Sequence, residues 1–386
     1  MNKITLHKGK EKSLKNKHPW VFSGALSSKE KFDSGTIVEV QSFDHKTLGY
    51  GFWDSNSQIV CRLFHFAEAQ VFDRPYWLAK FENAWSLRTQ LIDFGQTDVF
   101  RVLHAEGDFV PGLVCDVYAD TAVIQKTLEG LTEIQDHLVH FLKTKGISYF
   151  YAKTNRVAGK NTLLEEGWIG TPKTTSLVVK EHDIRFQIDV EKGQKTGFFV
   201  DQRENRKLLE QFCKDKAVLN TFSFSGGFSM YACRAGAKEV TSVDISKSAN
   251  EDCTKNYELN HFVTPHKALT QDCFAYLREV KEKFDVIILD PPAFAKSSAK
   301  VMNAARGYKD LNLLAFNLLH EKGYLFTFSC SQHVDKVLFQ KIVFGAAADA
   351  GRNVRIIQWL SQPADHPVNI YHPEGEYLKG LLLYVE

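Results

Sequence analysis

Beyond about residue 190, the sequence alternates between short apolar segments typical of β-strands and segments in which apolar residues recur at helical spacing. This alternation favours a parallel sheet covered by helices on both faces, because parallel neighbours need a crossover connection. Six strands are predicted, at residues 217–222, 239–243, 284–289, 323–328, 354–359 and 380–385. Ligands bind beyond the carboxyl ends of such strands, so the polar residues that follow them are candidates for a site.

The part before residue 190 follows other patterns. Short strand-like segments separated by Ser, Asp, Asn and Gly occupy residues 36–66 and predict a small β-rich module. Near residue 76 the apolar spacing becomes helical, and strands and a helix then alternate irregularly. The sequence therefore predicts a β-rich module at 1–70, an α+β middle domain at 71–188 and an α/β domain at 189–386.

The distribution of charge along the sequence says more about possible partners than the net charge does. The net charge of +2 gives no argument for a polyanionic partner. Within the first twenty residues, however, lysines cluster as they do where a protein meets a phosphate backbone, and a solvated basic terminus is the alternative. The lysines of this cluster that we assign to substrate binding are Lys8, Lys10, Lys12, Lys15 and Lys17.

The seven cysteines are scattered and show no metal-ligand spacing, so we expect neither disulfides nor a metal site. The N-terminus lacks the apolar segment of a signal peptide, and the longest apolar stretches are interrupted by asparagine. We therefore expect a cytoplasmic protein without membrane contact.

Polar and glycine residues follow the first two strands of the α/β domain. Gly226 and Gly227 allow a tight turn and a close backbone approach, although a plain turn is the alternative. Asp244 ends the second strand, where a carboxylate can bind the ribose hydroxyls of a nucleoside, and a helix-capping role is the alternative. Asp272 is a candidate for an adenine amino group and equally for a helix cap. The loop matches no phosphate-binding motif.

The segment Asp290-Pro291-Pro292-Ala293-Phe294 follows the strongly apolar strand at 284–289. D-P-P-x-F at this place resembles motif IV of S-adenosyl-L-methionine-dependent methyltransferases that act on planar amines or bases. The two prolines stiffen the turn, which would hold Asp290 at the strand tip and leave Phe294 to stack on a flat ring. A rigid turn with a capping aspartate is the alternative.

Several motifs together resemble the RlmI-like large-subunit (23S) ribosomal RNA cytosine-5 methyltransferases. They are TGFFVDQRENR at 196–206, NTFSFSGGFS, SVDIS, LDPPAF, RGYKDLN and TFSCS, with a PUA-like start in KGKEKSLKNKHPWVFSGAL and PADHPV near the end. The resemblance implies a PUA-like RNA-binding module, an α+β middle domain and a Rossmann-like methyltransferase domain. It also implies S-adenosyl-L-methionine as cofactor and ribosomal RNA, free or in an assembling large subunit, as substrate.

The family's motif VI cysteine corresponds to Cys330, which the resemblance makes the nucleophile, with Asp290 as its catalytic partner at the cytosine edge. A buried core cysteine is the alternative for Cys330, and we assign that role to Cys61, Cys115, Cys213, Cys233 and Cys253. The cofactor residues that we predict are Phe199, Asp201, Arg203, Phe222, Gly226, Gly227, Asp244, Asp272, Cys273 and Asp290. Pro291, Pro292 and Phe294 are predicted to contact the substrate.

Some features depart from the family or stay open. Ala293 stands where family members commonly carry Lys, and D-P-P-x-F differs from the second-cysteine arrangement of other RNA cytosine-5 enzymes. Residues 295–310, with Lys296, Lys300 and Arg306, are predicted to form a basic loop near the site. Two other functions remain: N-methylation of an exocyclic base amine, and a non-catalytic RNA-binding assembly factor. A homodimer is also left open.

Overall fold

The computed structural model describes residues 2–66, 70–154, 166–295 and 297–386. The chain divides into two compact units. The first comprises Met1–Lys180, Ile188–Val200 and Ala364–Gly375. The second comprises Glu181–Gln187, Asp201–Pro363 and Glu376–Glu386. The division at residues 70 and 188 stays a prediction. Among the helices of the described residues, none has the length and apolar character of a membrane span.

The first unit begins with a five-stranded sheet of order β1-β3-β4-β5-β2. Its elements are β1 (Asn2–Thr5), α1 (Lys12–Lys15), β2 (Trp20–Phe22), β3 (Ile37–Gln41), β4 (Thr47–Trp53) and β5 (Ile59–His65). Ile4, Val38, Val40 and Leu63 are buried in a core that this sheet forms. The short alternating strands predicted between 36 and 66 are therefore present as β3, β4 and β5.

A second five-stranded sheet, of order β10-β9-β8-β7-β6, follows in the same unit. Its elements are α2 (Arg74–Leu91), β6 (Val99–His104), β7 (Leu113–Tyr118), β8 (Thr121–Lys126), α3 (Thr132–Thr144), β9 (Tyr149–Lys153) and β10 (Gly167–Trp168). Trp77, Phe81 and Ala84 on α2 are buried, as their helical spacing predicts. Two further strands, β11 (Ser176–Glu181) and β12 (Ile184–Asp189), form a two-stranded sheet.

The second unit contains a seven-stranded sheet of order β15-β14-β13-β16-β17-β19-β18. Its strands are β13 (Ala217–Thr221), β14 (Glu239–Asp244), β15 (His266–Thr270), β16 (Phe284–Leu289), β17 (Leu319–Ser329), β18 (Val354–Leu360) and β19 (Lys379–Val385). Its helices are α4 (Arg203–Leu209), α5 (Gly227–Arg234), α6 (Lys247–Leu259), α7 (Cys273–Glu279), α8 (Val301–Leu318) and α9 (Lys336–Asp349). All six predicted strands are present.

Three predictions about this unit were wrong or incomplete. β15 was not predicted, because HKALT is a short, largely polar strand at the sheet edge. The sheet is not purely parallel, since β19 is antiparallel to both β17 and β18. The basic loop predicted at 295–310 is helical from Val301 onward, in α8, and Lys296 lies outside the described residues.

The position of β16 in the centre of the sheet explains why this segment is strongly apolar. Phe284, Ile287 and Leu289 are buried in the core on one face of the sheet, and Val286 and Ile288 are buried in the core on the other. Helices cover both faces, so neither set of side chains can be polar. The first polar residue after this strand, Asp290, therefore marks the point at which the chain leaves the core.

Candidate active site

The loop between β13 and α5 has an unusual backbone. Phe222 and Phe224 have positive φ values of 54° and 46°, and Gly226 has a φ of 80°. Positive φ is uncommon for residues other than glycine, and such backbone strain tends to concentrate at functional sites. A Cβ on Gly226 would lie 2.4 Å from Cys253 Sγ, and one on Gly227 would lie 3.1 Å from Arg206 Cδ. The predicted tight turn is therefore present and tolerates no side chain at residue 226.

Asp244 lies at the tip of β14, beside this loop. Its Oδ2 accepts a hydrogen bond from Phe224 N at 2.9 Å, and its Oδ1 accepts one from Ser246 N at 2.8 Å. Ser246 and not Asp244 is the N-cap of α6, because its hydroxyl accepts from Ala249 N. Asp244 is half-buried. The two backbone N–H groups hold its carboxylate at the edge of the loop.

The next two predicted cofactor residues have evident structural roles. Asp272 caps α7, since its carboxylate accepts from Ala275 N at 2.9 Å. The side chain of Cys273 is buried beneath the loop, where Sγ accepts from Phe222 N at 3.2 Å and donates to Val243 O at 3.4 Å. Burial raises the pKa of Cys273 to about 12, so this thiol stays protonated.

Ser223 was missed by sequence reasoning, although it lies in the same loop. Its side chain is buried, and Oγ has no hydrogen-bond partner within the part of the chain that the structure describes. A buried hydroxyl is normally hydrogen-bonded, so this atom is suited to a ligand that approaches the loop. The signal in the sequence was a serine between two phenylalanines directly after an apolar strand.

The residues of the segment at 196–206 differ in their environments. Phe199 belongs to the first unit, whereas Asp201 and Arg203 belong to the second. Asp201 is buried, and its Oδ2 accepts a hydrogen bond from Tyr377 OH at 2.8 Å. Arg203 is also buried, with Nε 2.9 Å from Glu204 Oε1. The assignment of these residues to the cofactor stays a prediction.

The D-P-P-x-F segment forms a corner after β16. Asp290 is half-buried, Pro291 is buried and Pro292 is exposed. The ring of Phe294 packs against Tyr308 at a centroid distance of 4.6 Å and lies 6.1 Å from the ring of Phe274. Phe294 is thus part of an aromatic cluster, and its predicted stacking on a substrate base is not tested.

Cys330 lies directly after β17, next to this corner. All seven cysteines are among the described residues, and six of them are buried, as predicted for five, while Cys330 is half-buried. Its Sγ is 3.9 Å from Pro291 O. The following residue, Ser331, has its Oγ 3.2 Å from Ala295 N and 3.0 Å from Tyr308 OH. These bonds connect the tip of β17 to the D-P-P-x-F segment, so Asp290 and Cys330 come from neighbouring strand ends.

The predicted substrate-binding lysines Lys8, Lys10, Lys12, Lys15 and Lys17 are all exposed in the first unit. Lys15 lies 3.6 Å from Glu11, and the Lys17 ammonium lies 5.5 Å from the centroid of the Tyr371 ring. This distance is within the range of a cation–π interaction. In the described residues, no group of three metal-ligating side chains is found.

The strand tips of the second unit fit a nucleoside cofactor. The loop after β13 approaches closely through Gly226, Ser223 offers an unpaired buried hydroxyl, and Asp244 offers a fixed carboxylate. A doubly wound sheet with a glycine turn after its first strand and an acid after its second is the arrangement used to bind nucleosides.

Comparisons with known proteins agree with this geometry. Residues 4–66 match the PUA-like domain family, and residues 158–368 match the S-adenosylmethionine-dependent methyltransferase family. A ribosomal RNA large subunit methyltransferase I from Aeromonas salmonicida is 40% identical to this chain over 98% of both proteins. One from Vibrio cholerae is 39% identical over 98% of both.

Solved structures share the fold over the full length. A Streptococcus mutans protein described as a SAM-dependent methyltransferase has a TM-score of 0.85 at 22% identity, with 100% of both chains covered. A methyltransferase structure complexed with SAH has a TM-score of 0.86, also at 22% identity and full coverage. Fold and family together define an S-adenosylmethionine-dependent methyltransferase. Within that class, the chain belongs to the family of ribosomal RNA large subunit methyltransferase I. The predicted fold class, enzyme class and cofactor are confirmed.

Proposed function

We propose that this protein methylates C5 of a cytosine in large-subunit (23S) ribosomal RNA, with Cys330 as the nucleophile. The relatives that cover the whole chain are named ribosomal RNA large subunit methyltransferase I, which supports the substrate class. The observation that carries the mechanism is the position of Cys330. It alone among the seven cysteines is not buried, and its Sγ lies 3.9 Å from the D-P-P-x-F corner at Pro291 O.

The chemistry explains why a thiol is needed. C5 of cytosine is a poor nucleophile, and attack of the Cys330 thiolate on C6 forms an S–C6 bond and moves the C5–C6 π electrons to C5. Bound S-adenosylmethionine supplies the electrophilic methyl group for that carbon. When the C5 proton is then lost, the C5=C6 double bond re-forms, the S–C6 bond breaks and Cys330 leaves as a thiolate.

Asp290 is the residue that we assign to the cytosine edge. It follows β16 directly, and Pro291 and Pro292 restrict the turn after it. A carboxyl group in this place can hydrogen-bond N3 or the exocyclic amine and offset the charge that builds up on the ring during attack.

For the cofactor we propose the strand tips beside this corner. Gly226 allows the close approach, Ser223 Oγ supplies a hydrogen bond and Asp244 binds the ribose hydroxyls, with Asp272 next to the adenine. Cys273 acts on the cofactor only through the loop backbone that it holds at Phe222.

We assign recognition of the RNA backbone to the five exposed lysines of the PUA-like module. Such contacts release counterions, so affinity falls as salt rises. Cys330 can reach C6 only if the base leaves its stack, which favours single-stranded or locally opened RNA. Free RNA or an assembling subunit as substrate, the cytoplasmic location and the homodimer stay predictions.

The proposal is tested by trapping. Ribosomal RNA that contains 5-fluorocytidine cannot lose a C5 proton, so we expect wild-type enzyme and S-adenosylmethionine to give a stable protein–RNA adduct. Mass spectrometry should locate the adduct at Cys330. Cys330→Ala should give no adduct and no methyl transfer, with cofactor binding unchanged by calorimetry. Cys213→Ala, which changes a cysteine buried in the core on one face of the sheet, is the matched control and should retain both activities.

Product analysis separates the alternatives. Labelled methyl on C5 of cytosine supports the proposal, whereas label on an exocyclic nitrogen supports the N-methyltransferase alternative and leaves Cys330 without a covalent role. Undiminished turnover of Cys330→Ala would also contradict the proposed mechanism.

A further inference from the structure

A buried lysine lies next to Cys330 in the sheet. Lys379 is the first residue of β19, and the antiparallel register pairs it with Ser329, which directly precedes Cys330. Only 3% of Lys379 is exposed. Lysine is almost never fully buried without a partner, because loss of water disfavours its charged form. The surroundings of Lys379 should therefore contain groups that favour the ammonium.

Hydrogen bonds hold the ammonium beside the cysteine. Lys379 Nζ donates to Ser331 O at 2.7 Å and to Tyr377 O at 2.8 Å. Ser331 follows Cys330, so the lysine contacts the backbone on both sides of that residue. An ammonium has three N–H donors, and these bonds use two of them. Within the described parts of the chain, no carboxylate forms an ion pair with Lys379.

Charge couples the two side chains. Burial lowers the pKa of Lys379, and among the charges that act on it, negative charge at Cys330 raises that pKa most. Glu376 and Asp335 raise it less, and Lys336 lowers it. Interaction between two charges is mutual, so the ammonium that is favoured by a thiolate at Cys330 favours that thiolate in return.

Tyr308 and the D-P-P-x-F corner, which also lie near Cys330, do not favour a thiolate. Tyr308, on α8, is buried, and its pKa is raised by burial and further by negative charge at Cys330. On the β16 side, Asp290 precedes Pro291, and the carbonyl oxygen of Pro291 is 3.9 Å from Sγ. This oxygen presents the negative end of a dipole to the sulfur. Lys379, in contrast, is a cation whose charge can offset a negative charge on sulfur.

We propose that Lys379 is a positioning residue that holds Cys330 as a thiolate before attack and stabilises it again as the leaving group. This inference rests on the proposed function of Cys330 as the nucleophile. The thiol proton passes to solvent before the reaction. The sulfur then carries one negative charge, loses it when the S–C6 bond forms and regains it when that bond breaks. Lys379 keeps its proton throughout.

The reactivity of Cys330 measures this effect without RNA. Short pulses of iodoacetamide over a range of pH alkylate exposed thiolates, and mass spectrometry quantifies the peptide that contains Cys330. The six buried cysteines should react slowly. We expect the wild-type midpoint to lie below the free-cysteine pKa of about 8.5. Lys379→Met removes the charge and should move the pH midpoint of alkylation upward. For each pH unit of that rise, alkylation at neutral pH should slow about tenfold.

Two variants control for charge and for folding. Lys336→Met removes a half-exposed ammonium near Lys379 and should leave the profile unchanged. Lys379→Arg retains a buried cation and should keep the midpoint below 8.5. Circular dichroism checks that each variant is folded. If Lys379→Met does not fold, the wild-type midpoint and the arginine variant decide the question.

A wild-type midpoint at or above that of free cysteine would overturn the inference. So would an unchanged profile in folded Lys379→Met, or an equal shift in Lys336→Met. These results concern only Lys379, because adduct formation by wild-type enzyme would still support the nucleophile. Conversely, methyl transfer by Cys330→Ala would reject the proposed function whatever the alkylation profile.

Discussion

Gly226 shows how one backbone angle constrains the loop between β13 and α5. Its φ of 80° disfavours any L-residue with a Cβ, and that Cβ would also lie 2.4 Å from Cys253 Sγ. We expect Gly226→Ala to lower the free energy of unfolding by about 1–2 kcal/mol for the angle and by a further 1–3 kcal/mol or so for the overlap. Urea unfolding followed by circular dichroism measures the change, and calorimetry should show weaker S-adenosylmethionine binding.

Gly236 provides the matched control at the residue scale. It has nearly the same φ, 77°, but a Cβ there would meet nothing within 4 Å. Gly236→Ala should therefore lose only the conformational part, about 1–2 kcal/mol, with cofactor affinity retained. Adding Cys253→Ala to Gly226→Ala should recover part of the loss, because it removes the sulfur. Equal losses in the two alanine variants would mean that the contact with Cys253 has no effect.

At the scale of elements, Glu181 connects α4 to α5. Arg206 on α4 makes two hydrogen bonds to its carboxylate, at 2.8 and 2.7 Å, and Tyr231 on α5 donates to Oε1 at 2.9 Å. Glu181 and Arg206 are both buried. Glu181→Gln would remove the buried negative charge that the guanidinium contacts, so we expect a loss of about 3–5 kcal/mol in the free energy of unfolding.

Glu204 is the comparison for this prediction. It also pairs with an arginine of α4, since Arg203 Nε lies 2.9 Å from its Oε1, but half of its side chain is exposed. Exposed ion pairs contribute little because water screens them, so Glu204→Gln should cost about 0.5 kcal/mol. Urea unfolding of both variants tests the contrast. A loss at Glu181 no larger than that at Glu204 would contradict a structural role for the buried pair.

Strands could be predicted from the sequence where burial on both faces of the sheet requires apolar residues. β13 and β16 are covered on both faces, so most of their residues are apolar, and their bounds were predicted to within about a residue. β15 has only partly buried and exposed residues at the sheet edge, and nothing in its pattern distinguishes it from a loop. The antiparallel direction of β19 depends on where the chain returns to the sheet, which local sequence does not encode.

Across the whole molecule, the motifs predicted the candidate site but not the residues that support it. Asp290 and Cys330 were predicted because each follows a strand and matches a motif of the family that the sequence resembles. Ser223 and Lys379 were not, because their significance depends on contacts between distant segments: the serine is unpaired only once the loop is packed, and the lysine reaches Ser331 across 48 positions. Sequence patterns identify residues at strand ends, whereas partners brought in by the sheet order appear only in the fold.

Four histidines that are half-buried or buried respond to acid in the same direction. Burial lowers the pKa of His104, His182, His266 and His372, and for His266 it lowers the pKa to about 4. His266 Nε2 lies 2.8 Å from Ser242 Oγ, and its ring stacks on Tyr257. A depressed pKa means that the folded state holds the neutral ring, while the unfolded chain binds a proton below a pH of about 6.5.

Stability should therefore be fully present above pH 6.5 and should fall as pH decreases toward 4. For His266 alone, linkage gives a loss of about 1.4 kcal/mol at pH 5.5 and about 2.5 kcal/mol at pH 4.5. Urea unfolding at these values and at pH 7.5 measures the slope, which His266→Gln should reduce because the neutral amide does not titrate. His320→Gln, at an exposed position in β17, should leave the slope unchanged. An equal slope in wild type and His266→Gln would show that protonation of this ring is not coupled to unfolding.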